Sequence, residues 1–122
     1  MNFMDRISLT GLRGRGHHGV LPAEREQGQE FVVDAVLWLD TSEAAASDDL
    51  ARTVDYSVLA GRLAEIISGE PVALIETLAQ RLAAACLADA RVAHAEVTVH
   101  KPEAPVGVPL ADVSVAIRRS RT

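Results

Sequence analysis

Four segments of the chain alternate apolar with polar or small residues at a period of two, which is the pattern of β-strands. They cover residues 7–12, 29–40, 96–101 and 113–117. In the segment 29–40 the residues of both faces are apolar, so we expect both faces of that strand to be covered.

Two further segments repeat apolar residues at the helical period. The first follows Asp55, a candidate N-cap, and Ser68 with Gly69 can end it; its apolar residues are Leu59, Leu63, Ile66 and Ile67. The second follows Pro71, and its stripe consists of Leu74, Ile75, Leu78, Leu82, Ala85 and Cys86. The pattern predicts two amphipathic helices, with Cys86 as a small core residue.

The segments between these elements are rich in turn-forming residues. Gly14, Gly16 and Gly19 bracket two histidines and predict a glycine-rich bend after the first strand. Residues 22–28 predict a polar connection, and the alanine run within 40–49 is too short to assign.

The order of elements is therefore strand, strand, helix, helix, strand, strand, which is typical of an α+β domain with two helices on one face of an antiparallel sheet. We expect residues 1–122 to form a single domain. Four strands leave two open edges, and a chain of this length is short of core. Both facts favour a homo-oligomer.

The composition narrows the classes of function. The chain has 12 Lys and Arg against 17 Asp and Glu, a net charge of −5. This balance argues against nucleic acid or an anionic membrane as the main partner. A single cysteine can form no internal disulfide, and neither a signal peptide nor an apolar segment of membrane-spanning length is present. We expect a cytoplasmic protein.

The rarest residues suggest chemistry. Lys101 is the only lysine among the 12 basic residues, and Tyr56 is the only tyrosine. A lysine can exchange its proton when its surroundings lower its pKa, whereas an arginine cannot. Composition alone leaves arginine bias and a catalytic role equally open.

Other candidate residues are acidic. Glu76 follows Leu74 and Ile75 in the second helix, so we expect it beside the apolar stripe, where it either complements the helix dipole or accepts hydrogen bonds from a ligand. Glu24 lies in the connection after the first strand, and a loop glutamate is usually solvated.

No metal site or bound cofactor is expected. His17 and His18 are adjacent and point in different directions, and no third ligand lies at a recognisable spacing. Residues 14–19 spell G-x-G-x-x-G but connect two strands, so the dinucleotide-binding context of a strand followed by a helix is missing.

Several short blocks together resemble the dihydroneopterin aldolase family, in order and at the family's spacing, over residues 5–118. No single block is decisive, but the set is specific. The blocks are His18-Gly19-Val20, Glu24, Gly28-Gln29, Asp48-Asp49-Leu50, Thr53-Val54-Asp55-Tyr56, Leu74-Ile75-Glu76-Thr77-Leu78-Ala79 and Val99-His100-Lys101-Pro102-Glu103-Ala104-Pro105.

The resemblance implies the tunnelling fold, in which two helices are inserted between strands two and three of a four-stranded antiparallel sheet. It also implies that four subunits close a barrel and that two rings stack into an octamer. The sequence does not decide between tetramer and octamer.

The resemblance further implies a retro-aldol cleavage of 7,8-dihydroneopterin into 6-hydroxymethyl-7,8-dihydropterin and glycolaldehyde, a step of folate biosynthesis. The C6=N5 imine of the substrate accepts the electrons, so neither a metal nor a Schiff base is required. Lys101 matches the acid/base lysine, and Tyr56 matches the tyrosine that assists protonation. Glu24 matches the carboxylate that helps hold the trihydroxypropyl tail and Lys101.

The same resemblance assigns binding residues. Glu76, with the backbone at Ile75, matches the anchor of the pterin ring, and Val20 and Val54 match positions that line the ring pocket. In the family, the stretch that corresponds to Val54, Asp55 and Tyr56 comes from a neighbouring subunit. The active site is therefore expected at a subunit interface.

Two alternatives remain open. An epimerase of dihydroneopterin or its triphosphate shares the fold and the intermediate, and Arg13, Arg15 and Arg25 offer a cationic rim for a triphosphate. The other alternative is an oligomer that binds a pterin or a purine without turnover, and the retention of Lys101 and Tyr56 argues against it.

Overall fold

A computed structural model describes residues 4–121 and contains one antiparallel sheet. Its strands are β1 (Asp5–Gly16), β2 (Gln29–Leu39), β3 (His94–His100) and β4 (Ser114–Ser120). They lie in the order β1-β2-β3-β4, so β1 and β4 are the edges. The four-stranded sheet predicted from the alternating segments is confirmed.

The long helices α3 (Tyr56–Ser68) and α4 (Ile75–Cys86) lie between β2 and β3 in the chain, as the periodicity predicts, and pack on one face of the sheet. The structure also contains two short helices, α1 (Pro22–Gln27) and α2 (Ser42–Ser47). The sequence predicts only a polar connection for the first of these segments and no element for the second. A 3₁₀ turn follows at Leu50–Arg52. Within residues 4–121 no helix is long and apolar enough to cross a bilayer.

The two short helices have local causes. Pro22 presets the backbone at the first position of α1, and Gly28, with a φ of 71°, ends it. In α2, three alanines supply high helix propensity, and Asp48 ends the helix in the left-handed conformation. The turn-forming residues therefore predict where both segments end, but they do not predict the helices between those ends.

The core lies between the helices and one face of the sheet. Alternate residues of β2, from Phe31 to Leu39, are almost fully buried there. The opposite face of β2, with Val32, Val36 and Trp38, is only half-buried. The expectation that both faces of this strand are covered is therefore not met by residues 4–121 of one chain.

The expected bend at Gly14 and Gly16 is wrong, because both residues belong to β1. They are glycines because the end of α3 packs directly on the strand. A Cβ at Gly14 would lie 2.8 Å from Cγ2 of Ile67, and one at Gly16 would lie 2.5 Å from the Ile67 carbonyl oxygen. The chain turns only after Gly16.

Candidate active site

A cleft of about 490 Å³ lies where three segments of the chain meet. These are the segment after β1, the start of α4, and the loop between β3 and β4. Its lining includes Val20, Glu24, Ile75, Glu76, Lys101 and Pro105. The structure therefore brings together five residues that the sequence singled out, along with Pro105 of the Lys-Pro block.

The cleft contains a buried ion pair. The Nζ atom of Lys101 lies 2.5 Å from Oε2 of Glu24, and the side chains are only 13% and 7% exposed. Gln29 Nε2 donates to the same carboxylate oxygen at 2.9 Å, and the backbone N–H of Leu21 donates to Oε1 at 3.2 Å. Glu24 is thus not the solvated loop glutamate that its position suggests.

These contacts determine the charge of Glu24. Burial alone would raise the pKa of the Glu24 carboxyl. The hydrogen bonds outweigh burial, that of Lys101 most strongly, and hold the pKa below its ordinary value. The cleft therefore holds a carboxylate in direct contact with the only lysine of the chain.

Gly19 makes room for this carboxylate. Its φ is +153°, and a Cβ there would lie 2.4 Å from both Cδ and Oε1 of Glu24. An L side chain at this position is strained by its backbone and also displaces the carboxylate. Gly19 is thus a requirement for the pair of Glu24 and Lys101.

We expect Gly19→Ala to lower the free energy of unfolding by about 2 kcal/mol or more, the cost of such backbone strain. Gly61→Ala is the matched control, because Gly61 lies in α3 and a Cβ there meets nothing within 4 Å. It should be neutral or stabilising by up to about 1 kcal/mol. Urea unfolding of both variants measures the difference, and equal stability of the two would refute this role of Gly19.

His18 joins the segment after β1 to the connection between α3 and α4. The ring is fully buried, its Nε2 lies 2.7 Å from the Ile67 carbonyl, and its Nδ1 accepts the N–H of Val72 at 3.1 Å. These partners require a neutral ring with its proton on Nε2. Burial lowers the pKa of His18, which favours that form. His18 therefore holds the start of α4 beside Glu24.

Glu76 is exposed, which corrects the expectation that it lies beside the apolar stripe. The buried side of α4 is formed by Ile75, Leu78, Ala79 and Leu82, all packed toward the sheet. The helical turn from Ile75 moves the next side chain away from the core. Glu76 instead lines the cleft, in the first turn of α4, where unpaired backbone N–H groups gather.

Comparison with known proteins places this geometry in a family. The family model for dihydroneopterin aldolase matches residues 7–118. The chain belongs to the dihydroneopterin aldolase family. A dihydroneopterin aldolase from Streptomyces coelicolor is 58% identical over 118 residues, which covers 97% of this chain and 99% of the relative.

More distant members agree. The dihydroneopterin aldolase of Bacillus subtilis is 38% identical over 98% of this chain and 100% of its own length. The solved structure of Escherichia coli dihydroneopterin aldolase in complex with neopterin superposes with a TM-score of 0.87, at 29% identity, and covers 96% of this chain and 100% of that one. The tunnelling fold expected from the resemblance is confirmed.

Three predicted site residues, Val54, Asp55 and Tyr56, lie outside the cleft. Val54 and Asp55 line a separate hollow of about 440 Å³, and Tyr56, 59% exposed, begins α3. Asp55 caps this helix, as predicted, by accepting the N–H groups of Ser57 and Val58. Since a helix rises 1.5 Å per residue, Tyr56 lies roughly 17 Å along α3 from Ile67, which contacts His18. Within one chain, Tyr56 is not among the residues that line the cleft of Lys101.

The three arginines that could form a cationic rim, Arg13, Arg15 and Arg25, bond to other groups of the chain. Arg13 pairs with Glu30 at 2.5 Å, Arg25 donates to the Gly19 carbonyl, and Arg15 donates to two backbone carbonyls at the end of α1. None of these arginines lines the cleft. The structure gives no support to a triphosphate site there.

No group of three or more His, Cys, Asp or Glu side chains among residues 4–121 is arranged to hold a metal ion. His17 instead contacts the carbonyl of Arg25, and His94 contacts Ser120. Cys86 is buried, and burial raises the pKa of its thiol to about 11.

Gln29 and His18 both support the site, the first by a hydrogen bond to Glu24 and the second by hydrogen bonds to Ile67 and Val72. The sequence predicts no role for either residue. Gln29 is the first residue of β2, and its side chain lies on the same buried face as those of Phe31 and Val33. A polar side chain that continues an apolar face was the available clue. His18 offered no such clue, because its partners are backbone groups distant in sequence.

Proposed function

We propose that the chain cleaves 7,8-dihydroneopterin in the 490 Å³ cleft by a retro-aldol reaction that needs neither a metal nor a lysine Schiff base. The observation that carries the proposal is the buried contact between Lys101 and Glu24, in a cleft that Glu76 also lines. Membership of the aldolase family supports it.

Glu76 provides the anchor for the ring. Its carboxylate is exposed in the cleft and has two oxygens for two adjacent donors, the 2-amino group and N3 of the pterin. The backbone of Ile75 lies next to it, and Val20 supplies an apolar surface for the ring. The trihydroxypropyl tail then extends toward Glu24 and Lys101.

The reaction breaks the bond between C1′ and C2′ of that tail. Loss of the proton from the 2′-hydroxyl forms the carbonyl of glycolaldehyde, and the electrons of the broken bond move through C1′ and C6 to N5, which gains a proton. Protonation of the resulting enamine at C1′, with loss of the N5 proton, gives 6-hydroxymethyl-7,8-dihydropterin. Lys101 exchanges these protons, and Glu24 holds its ammonium and the tail hydroxyls.

A second subunit completes the site. Tyr56 assists the last protonation, but within one chain neither Tyr56 nor Val54 nor Asp55 lines the cleft of Lys101. The open edges β1 and β4 and the half-exposed face of β2 support assembly. We propose a homo-oligomer, tetramer or octamer, built from single-domain subunits of residues 1–122 that act in the cytoplasm.

Epimerisation at C2′ shares the intermediate, because reclosure on the other face of the aldehyde gives dihydromonapterin. The same site therefore supports it as a side reaction of the free pterin. Its triphosphate is disfavoured because Arg13, Arg15 and Arg25 are engaged away from the cleft.

A product assay with 7,8-dihydroneopterin tests the proposal. We expect equimolar glycolaldehyde and 6-hydroxymethyl-7,8-dihydropterin, at a rate unchanged by EDTA. Borohydride added during turnover should leave the protein mass unchanged, because Lys101 forms no imine. Epimer without glycolaldehyde would identify an epimerase, and bound but unchanged pterin would identify a binding protein.

A further inference from the structure

A charged cluster lies on the face of the sheet opposite the helices. The ring of His100 lies between two carboxylates, with Nδ1 at 2.7 Å from Asp112 Oδ2 and Nε2 at 2.8 Å from Asp34 Oδ2. The other oxygen of Asp34 accepts the N–H of Gly11 at 2.7 Å, at the irregularity in β1. The cluster therefore connects β1, β2, β3 and the loop before β4.

The state of the ring follows from its partners. A carboxylate only accepts hydrogen bonds, so both ring nitrogens must carry protons and His100 must be an imidazolium. The hydrogen bonds to Asp112 and Asp34 raise the pKa of His100, which favours that state. The loss of either carboxylate, or of the ring, breaks a charged contact at the end of β3.

Other charged groups on this face have partners of their own or lie further away. Arg13 is in the same row of the sheet as His100 and pairs with Glu30 at 2.5 Å. Arg15, opposite Glu30, donates to the carbonyls of Gln27 and Gly28. Glu96 lies on this face of β3 as well, further from His100 than Thr98, the residue paired with Asp34. The two aspartates remain the direct partners of the imidazolium.

The cluster lies at the base of the loop that carries Lys101. His100 immediately precedes Lys101, and Asp112 immediately precedes Val113, whose carbonyl accepts the N–H of Lys101 at 2.8 Å. Two adjacent bonds, one between side chains and one between backbones, thus close the loop of residues 101–112. This loop contributes Pro105 to the wall of the cleft.

We propose that His100, held between Asp34 and Asp112, is a positioning residue that keeps the Lys101 ammonium against Glu24 by closing the base of this loop. The proposal deepens the proposed function and rests on Lys101 being its acid/base group. A displacement of about 1 Å at a catalytic group can lower a rate about a hundredfold, so loosening the loop should affect turnover.

The single lysine provides a direct probe. Protein labelled with ¹⁵N at lysine Nζ gives one side-chain NMR signal, that of Lys101, with no assignment needed. We expect His100→Gln and Asp112→Asn to shift this signal. His94→Gln is the matched control, because His94 lies on the same face of β3 at its other end and bonds Ser120 Oγ at 2.7 Å.

Kinetics supply the second readout. In both cluster variants kcat should fall about ten- to a hundredfold while KM stays within about twofold, because Glu76 still anchors the ring. His94→Gln should leave both parameters unchanged. A merely structural role of the cluster would lower the melting temperature of His100→Gln and Asp112→Asn and leave the Lys101 signal in place.

The outcomes are distinct. A wild-type Lys101 signal and kcat in folded His100→Gln and Asp112→Asn would overturn the proposal, as would equal changes in His94→Gln. If the wild-type protein releases no glycolaldehyde, the proposed function fails. The NMR comparison then still decides whether His100 positions Lys101.

Discussion

We expect Lys101→Met to lower kcat for glycolaldehyde release about a thousandfold, within the range for the loss of a general acid/base group, and to leave pterin binding intact. Methionine keeps the length and apolar stem of lysine but carries no proton to exchange. The proposed ring anchor, Glu76, is untouched, so the dissociation constant for neopterin should stay within about threefold of the wild type. Steady-state kinetics and a fluorescence titration with neopterin measure the two effects.

A loss of folding must be separated from a loss of chemistry. The variant leaves the buried carboxylate of Glu24 without its cation, which costs as much as about 3 kcal/mol. In the double variant Lys101→Met/Glu24→Gln the buried charge is gone, so stability should recover while activity stays low. Arg62→Met, a surface change in α3, controls for the lost positive charge. Wild-type turnover in Lys101→Met would end the acid/base assignment.

We expect that mixing two inactive variants, Lys101→Met and Tyr56→Phe, restores activity. Tyr56→Phe should lose most product formation, about a hundredfold, because protonation of the enamine is impaired. When Lys101→Met and Tyr56→Phe subunits assemble at random in equal amounts, about a quarter of the sites combine an intact Lys101 from one subunit with an intact Tyr56 from the next. Activity should therefore rise to about a quarter of the wild type.

Subunits assembled after co-expression, with a different tag on each variant, provide the sample, and each variant purified alone provides the baseline. A second control is a mixture of Lys101→Met with Glu24→Gln, whose residues both belong to the same cleft. That mixture should regain nothing. If Lys101→Met and Tyr56→Phe also regain nothing, although mixed oligomers form, then one chain supplies both residues and the shared site is refuted.

The periodicity of the sequence predicts the fold well because it reports burial directly. Alternate positions of β2 face the helices, as the pattern indicates. Most of the predicted stripe of α4 is buried too, but Leu74 precedes the helix and is exposed. The periodicity does not predict α1 and α2, because a helix of six residues contains too few turns to show a helical period. Gly14 and Gly16 were misassigned because closeness to Ile67 is a tertiary property.

The site could be predicted only in part. Lys101 and Glu76 were singled out by rarity and by position, but the burial of Glu24 depends on Gly19 and Gln29, whose roles appear only in three dimensions. The exposure of Glu76 shows the opposite error, since apolar neighbours in sequence do not bury a residue on the outer side of a helix. Local patterns do not report such contacts between distant segments.

The structure of the assembled protein with bound neopterin would decide whether two subunits share the active site, because it locates every partner of the ligand at once. We expect the ring within hydrogen-bond distance of Glu76, the tail hydroxyls at Lys101 and Glu24 of the same subunit, and Tyr56 of a neighbouring subunit beside them. A pterin bound outside this cleft, or a site in which Tyr56 of no subunit reaches the ligand, would contradict this expectation.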